Sequence, residues 1–251
     1  MKDYPDRGGR YGRRLYYEDD EFESIMDELR ARADLGPLEP GRGVDVERVL
    51  KRAFDVEPDF RELPEHMLGR TEFQPDGQVA IEISHVLSEL AEGNVVARRR
   101  LRSTLGHEGG HVALHRTLFL RDFATPSLFG DEPQREVSAC LCRNEVIDAP
   151  SSRASGYHGE WWEYQANRAM SALLLPRDEV RREVPAVLAR HGHADMDQAL
   201  MAEDGVRVIR ELSNIFDTSI SLTLFRLQHL GFVPQDGRQQ RLEWEVGRSA
   251  E

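Results

Sequence analysis

The sequence predicts an α+β fold, with a small antiparallel sheet ahead of a long helix and a mainly helical C-terminal part. Three observations predict it. Val79, Ile81 and Ile83 alternate as in a half-buried strand, directly after the turn signal Pro75-Asp76-Gly77. A helical pattern follows from about Asn94 to Arg116. A second helix runs from about Glu160 to Leu175, where Pro176 ends it, and the rest reads as helical up to a polar tail after Val233.

The chain has 251 residues, 39% hydrophobic and 31% charged, which suits one large globular domain, or one and a half small ones, with a real core. Residues 1–20 read as a disordered tail, because Arg7, Arg10, Arg13 and Arg14 sit among glycines ahead of an acidic run. Phe22, Ile25, Met26 and Leu29 follow the i, i+3, i+4, i+7 spacing of an amphipathic helix. Gly36 to Gly43 is a breaker-rich linker, and Asp45 can cap a second helix whose apolar face is Val46, Val49, Leu50, Ala53 and Phe54. Residues 117–160 read as loops around short helical pieces.

Several function classes are excluded or disfavoured. No apolar run is long enough to cross a bilayer. Met1 to Tyr17 is polar and Arg-rich, without the apolar stretch of a signal peptide, so a cytoplasmic location is the expectation. Cys140 and Cys142 are too few for a disulfide scaffold or a thiolate-rich zinc site, and are read as packing residues. A net charge of −12 argues against broad nucleic-acid affinity while leaving room for a local basic patch. Arg207, Arg210 and Arg226 near the C-terminus are offset by Glu211 and Asp217, so those helices are expected to pack or dock a partner rather than bind DNA.

The chemistry lies in His107-Glu108-Gly109-Gly110-His111. Helix positions i and i+4 face the same way one turn apart, so two imidazoles can reach one tetrahedral Zn²⁺. Glu108, beside the first ligand, can reach a metal-activated water without binding the metal. Gly109 and Gly110 cost helix propensity and imply close packing or a less regular helix. A catalytic zinc site usually takes a third protein ligand. The better candidate is Glu163, a carboxylate near the start of a helix whose inner face is Ala166, Met170 and Leu174, where a buried charge needs a partner. Glu160 and His115 are the alternatives. Tyr157, His158 and His115 are candidate oxyanion donors, Trp161 and Trp162 are expected to shield the site or fill core, and the strand Val79–Ile83 could align an extended peptide.

The run Arg98-Arg99-Arg100-Leu101-Arg102-Ser103-Thr104-Leu105-Gly106-His107-Glu108-Gly109-Gly110-His111-Val112-Ala113-Leu114-His115 resembles the active-site helix of ImmA/IrrE-type metallopeptidases, which reads R-R-F-T-L-A-H-E-L-G-H-x-L-L-H. Glu163-Tyr164-Gln165-Ala166-Asn167 to Pro176 is similar to that family's second element, E-x-x-A-N-x-F-A-x-x-L-L-x-P. Leu212 to Ser219 and Arg226 to Gly231 more weakly resemble its helix-turn-helix-like tail. Gly109 stands where the family carries leucine, and the His111-to-Glu163 connection is long for it, which points to an insertion within 117–160.

The resemblance implies a zincin-like metallopeptidase domain over 21–185 and a helix-turn-helix-like helical region over 186–251. It implies Zn²⁺ held by His107, His111 and Glu163, with Glu108 as catalytic base. The implied activity is endopeptidase cleavage of a regulatory protein such as a helix-turn-helix repressor. A non-catalytic regulator, or a toxin–antitoxin component acting by protein or DNA binding, is the alternative.

Overall fold

A computed structural model describes residues 1–6, 12–124, 138–143 and 161–234. Strands β1 (Lys2–Pro5) and β2 (Arg13–Tyr16) form an antiparallel hairpin. For the described residues this corrects the expectation of a disordered tail over 1–20. Leu15 and Tyr17 are both buried, and the Tyr17 hydroxyl donates to the Leu114 carbonyl at 2.8 Å. The arginine-rich composition conceals two buried side chains, Leu15 in β2 and Tyr17 just past it, and their burial is what holds the segment down.

Helices α1 (Asp19–Arg32) and α2 (Val46–Phe54) follow as the apolar spacing predicts. Phe22, Met26 and Leu29 are buried on α1, and Val46, Val49 and Leu50 on α2. The Asp45 carboxylate caps α2 by accepting from the Arg48 amide.

Strands β3 (Asp59–Arg61), β4 (Met67–Phe73), β5 (Val79–Ser84) and β6 (Ser138–Arg143) make a sheet in the order β3-β5-β4-β6. β4 pairs antiparallel with β5 and β6, while β3 joins β5 in parallel, so the sheet is mixed rather than purely antiparallel. β5 is an interior strand, paired with β4 along its length and with β3 over Glu82–Ser84. β4 covers one side of Val79–Ile83 and β3 covers Glu82 and Ile83 on the other, so the docking edge expected there narrows to residues 79–81. β6 falls within 117–160 and corrects the reading of loops and short helices at 138–143, while 125–137 and 144–160 lie outside the described residues. It sets Cys140 opposite Thr71 and Cys142 opposite Gly69; the cysteine side chains lie outside the described residues.

Helix α3 (His85–Gly93), which the sequence pattern did not reveal, leads into α4 (Val95–Ala124). The Asn94 side chain accepts from the Val96 and Ala97 amides and starts α4. Helices α5 (Trp161–Leu174), α6 (Arg177–Arg190), α7 (Met196–Met201), α8 (Gly205–Phe216) and α9 (Ile220–His229) complete the described chain. α6 spans residues 185 and 186, where the expected boundary lies, and one hydrophobic core among the described residues extends from Leu15 to Val233. No helix among the described residues is long and apolar enough to cross a membrane.

The α8–α9 pair does not present a free second helix. Leu222 to Gln228 of α9 are buried, and the fully buried Arg226 guanidinium pairs with Glu23 of α1 and donates to the Leu175 carbonyl. Between the two helices, Asp217 takes a left-handed conformation and accepts from Arg98 and Arg99 of α4. The last helices thus brace the first turn of α4.

Candidate metal centre

Small residues bring α4 against α5. A side chain carbon at Gly110 would stand 3.0 Å from the Ala166 carbonyl oxygen and 3.1 Å from the Ala169 methyl; at Gly106 it would stand 3.3 Å from Met170. The glycines that weaken α4 by propensity therefore allow its close approach to α5. Gly109 faces the other way, where an added carbon would stand 3.0 Å from Leu50 of α2. Gly110→Ala tests which effect wins. Propensity alone favours alanine by about 1 kcal/mol, but the α5 backbone is fixed by its own hydrogen bonds and cannot yield cheaply. We expect thermal unfolding at lower temperature than wild type; an unchanged or raised midpoint would contradict the close-packing role.

With the helices this close, three donors converge. His107 Nε2 lies 3.0 Å from His111 Nε2 and 3.0 Å from Glu163 Oε2, and His111 Nε2 lies 3.5 Å from the same oxygen. Around one tetrahedral cation with bonds of about 2.0–2.1 Å, donors stand about 3.3 Å apart, so the three separations fit a single ion. All three residues are buried, and they are the group among the described residues able to hold a metal. Of the alternatives to Glu163, His115 turns away from this point, while Glu160 lies outside the described residues.

Outer partners aim the imidazoles. The Asn167 side-chain oxygen stands 2.9 Å from His107 Nδ1, and His115 Nδ1 stands 3.1 Å from His111 Nδ1. His115 Nε2 in turn meets Gln165 Oε1 at 2.9 Å. Both ring nitrogens of His115 are engaged, so it is not free to be an oxyanion donor; Tyr157 and His158 lie outside the described residues. Trp161 packs edge-on against His115 with centroids 5.7 Å apart, and Trp162 packs edge-on against Trp161. The pair fills core behind the site, as one of the two expected roles had it.

Glu108 sits on the sheet side of α4. Its Oε2 accepts from the Thr71 hydroxyl on β4, and its Oε1 is buried without a hydrogen-bond partner among the described residues. Gly69 makes room for it, since an added carbon there would stand 2.8 Å from Oε1.

The electrostatics divide the two carboxylates. Burial pushes Glu108 up to about 8, only partly offset by His107 and by the Thr71 bond. Burial works upward on Glu163 as well, but His111 and His107 hold it well below the usual carboxylate range. For the histidines burial works against charge. It lowers His111 and, with His111 beside it, takes His115 down to about 3, whereas Glu163 outweighs it and raises His107. One carboxylate is thus held charged between two nitrogen donors, and its neighbour is poised to carry a proton.

Thr71, Asn167 and Gln165 had no role in the sequence reading. The only sequence signal for the last two is that polar residues occupy a helix otherwise apolar on its inner face. The chain matches no family model, and no curated protein sequence matches it. By its own fold and site it is a mixed α+β protein with a buried His-His-Glu group that could hold a metal ion.

Proposed function

We propose that the protein is a zinc-dependent endopeptidase of the ImmA/IrrE type, with a zincin-like core, acting on a regulatory protein such as a helix-turn-helix repressor. The observation that carries this reading is the convergence of His107, His111 and Glu163 beside a separately held carboxylate, Glu108, whose inner oxygen lacks a partner. Two imidazoles and a carboxylate are the donor set of catalytic zinc sites.

When bound, zinc would polarise a peptide carbonyl and acidify the attacking water. The remaining work falls to the chain. Glu108 Oε1 takes a proton from the water and passes it to the leaving amide nitrogen, while Thr71 fixes the other oxygen. Asn167 and His115 fix the ring orientations of His107 and His111. Among the described strands β6 is at the margin next to β4, and an extended peptide would add there.

The competing reading, a non-catalytic zinc-fold regulator, needs neither the oriented Glu108 nor the cavity Gly69 leaves for it. The buried α9 also disfavours DNA binding through the last helix pair. The test is metal content and cleavage of a co-expressed candidate repressor for wild type, His107→Ala and Glu163→Ala. We expect about one zinc per wild-type chain and loss of both zinc and cleavage in each variant. Full zinc content in Glu163→Ala would reject the ligand set.

A further inference from the structure

We propose that Gln165 and His115 form a positioning relay that sets the tautomer of His111, anchored on the N-terminal hairpin at the Leu15 carbonyl. This rests on the reading of His111 as a metal ligand. Each direction along the relay is forced by the one before. The Leu15 carbonyl can only accept, so the Gln165 amide nitrogen, 2.7 Å away, donates to it. That orients the amide and turns its Oε1 to His115 Nε2 at 2.9 Å. Oε1 can only accept, so His115 carries its proton on Nε2.

A neutral imidazole has one N–H, so His115 Nδ1 is a bare lone pair facing His111 Nδ1 at 3.1 Å. His111 must then donate from Nδ1. Its Nε2 is left unprotonated, pointing to His107 and Glu163, as a metal ligand requires. Leu15, Gln165, His115 and His111 are all buried, so no solvent competes for these bonds. The hairpin is clamped beside the relay, because the Tyr17 hydroxyl donates to the Leu114 carbonyl. A bond that favours the metal-ready ring also holds the hairpin, so cation binding and hairpin docking stabilise each other reciprocally.

The test uses the full chain. In metal-free wild type, nitrogen NMR of the imidazoles should report His115 protonated on Nε2 and His111 on Nδ1. Zinc affinity, measured by chelator competition, should fall about 10–100-fold in Gln165→Met, which removes the acceptor. In Gln165→Glu the carboxylate still accepts from His115 but cannot donate to the Leu15 carbonyl, so affinity should fall less than in Gln165→Met while the hairpin loses its response to zinc. Zinc added to wild type should slow amide exchange in β1 and β2, and should do so less in Gln165→Met.

A wild-type His115 proton on Nδ1, or unchanged zinc affinity in a folded Gln165→Met, would overturn the relay. Exchange in the hairpin that ignores zinc would overturn its anchoring. Failure of wild type to bind zinc at all would reject the metal reading itself, and the relay with it.

Discussion

Glu108→Gln should keep its metal and lose turnover by about 10²–10⁴-fold, the usual contribution of a general base. The substitution preserves shape and the Thr71 contact and touches none of the three converging donors. What it removes is the ability of a buried, otherwise unpartnered oxygen to take a proton. Metal analysis together with single-turnover cleavage of the candidate repressor measures both halves. Retained turnover in protein freed of contaminating protease would refute the base role.

The same variant has a signature that needs no substrate. In metal-free protein the folded-state pKa of Glu108, about 8, stands above its ordinary 4.5. The folded state therefore holds this proton more tightly than the unfolded chain does. The stability this gives is complete below about pH 4.5 and is lost as pH rises through about 8. Glutamine does not titrate, so the unfolding midpoint of the metal-free variant should fall less over that window than that of wild type.

Arg226→Ala should destabilise the protein by about 3–5 kcal/mol, the cost of leaving one member of a buried ion pair alone. The Arg226 guanidinium is fully buried and meets both Glu23 oxygens at 2.6 and 2.7 Å. It also donates to the Leu175 carbonyl just past the end of α5. Its removal strands a carboxylate and a helix-end acceptor together. For a chain of this size the unfolding midpoint should drop by roughly 6–20 °C, read by calorimetry. The double variant Glu23→Gln/Arg226→Met should recover much of the loss, because it leaves no buried charge. A midpoint within a degree or two of wild type for Arg226→Ala would show the pair to be energetically idle.

How much of this was legible varied by residue. His107, Glu108 and His111 stand within one helical turn, so local geometry alone brings them together. Glu163 was legible because a carboxylate on an apolar helix face needs a partner, and because its surroundings resemble a family element. Its arrival within hydrogen-bonding distance of His107 depends on Gly106 and Gly110, whose value is invisible until α5 is seen beside them. Asp45 revealed its cap for the same local reason as the histidines: donor and acceptor are three residues apart.

The N-terminal hairpin was misread because composition averages over arginines that face solvent and two side chains that do not. β3 and β6 are stabilised by neighbours rather than by their own pattern, so nothing local announced them. Arg226 entered the reading only as a charge of the last helices, set against Glu211 and Asp217, because its partner Glu23 is 203 residues away in sequence.

The sequence by itself determined the helix carrying the paired histidines, the candidate third donor, the positions of α1, α2 and α5 and the turn into β5, since periodicity and capping act over a few residues. Only the tertiary structure decided that Thr71 holds Glu108, that Gln165 stands behind His115, and that the first strands and last helices brace the site. Those contacts join residues 37 to 203 positions apart, and burial, which makes each of them count, is a property of the folded chain and not of any segment of it.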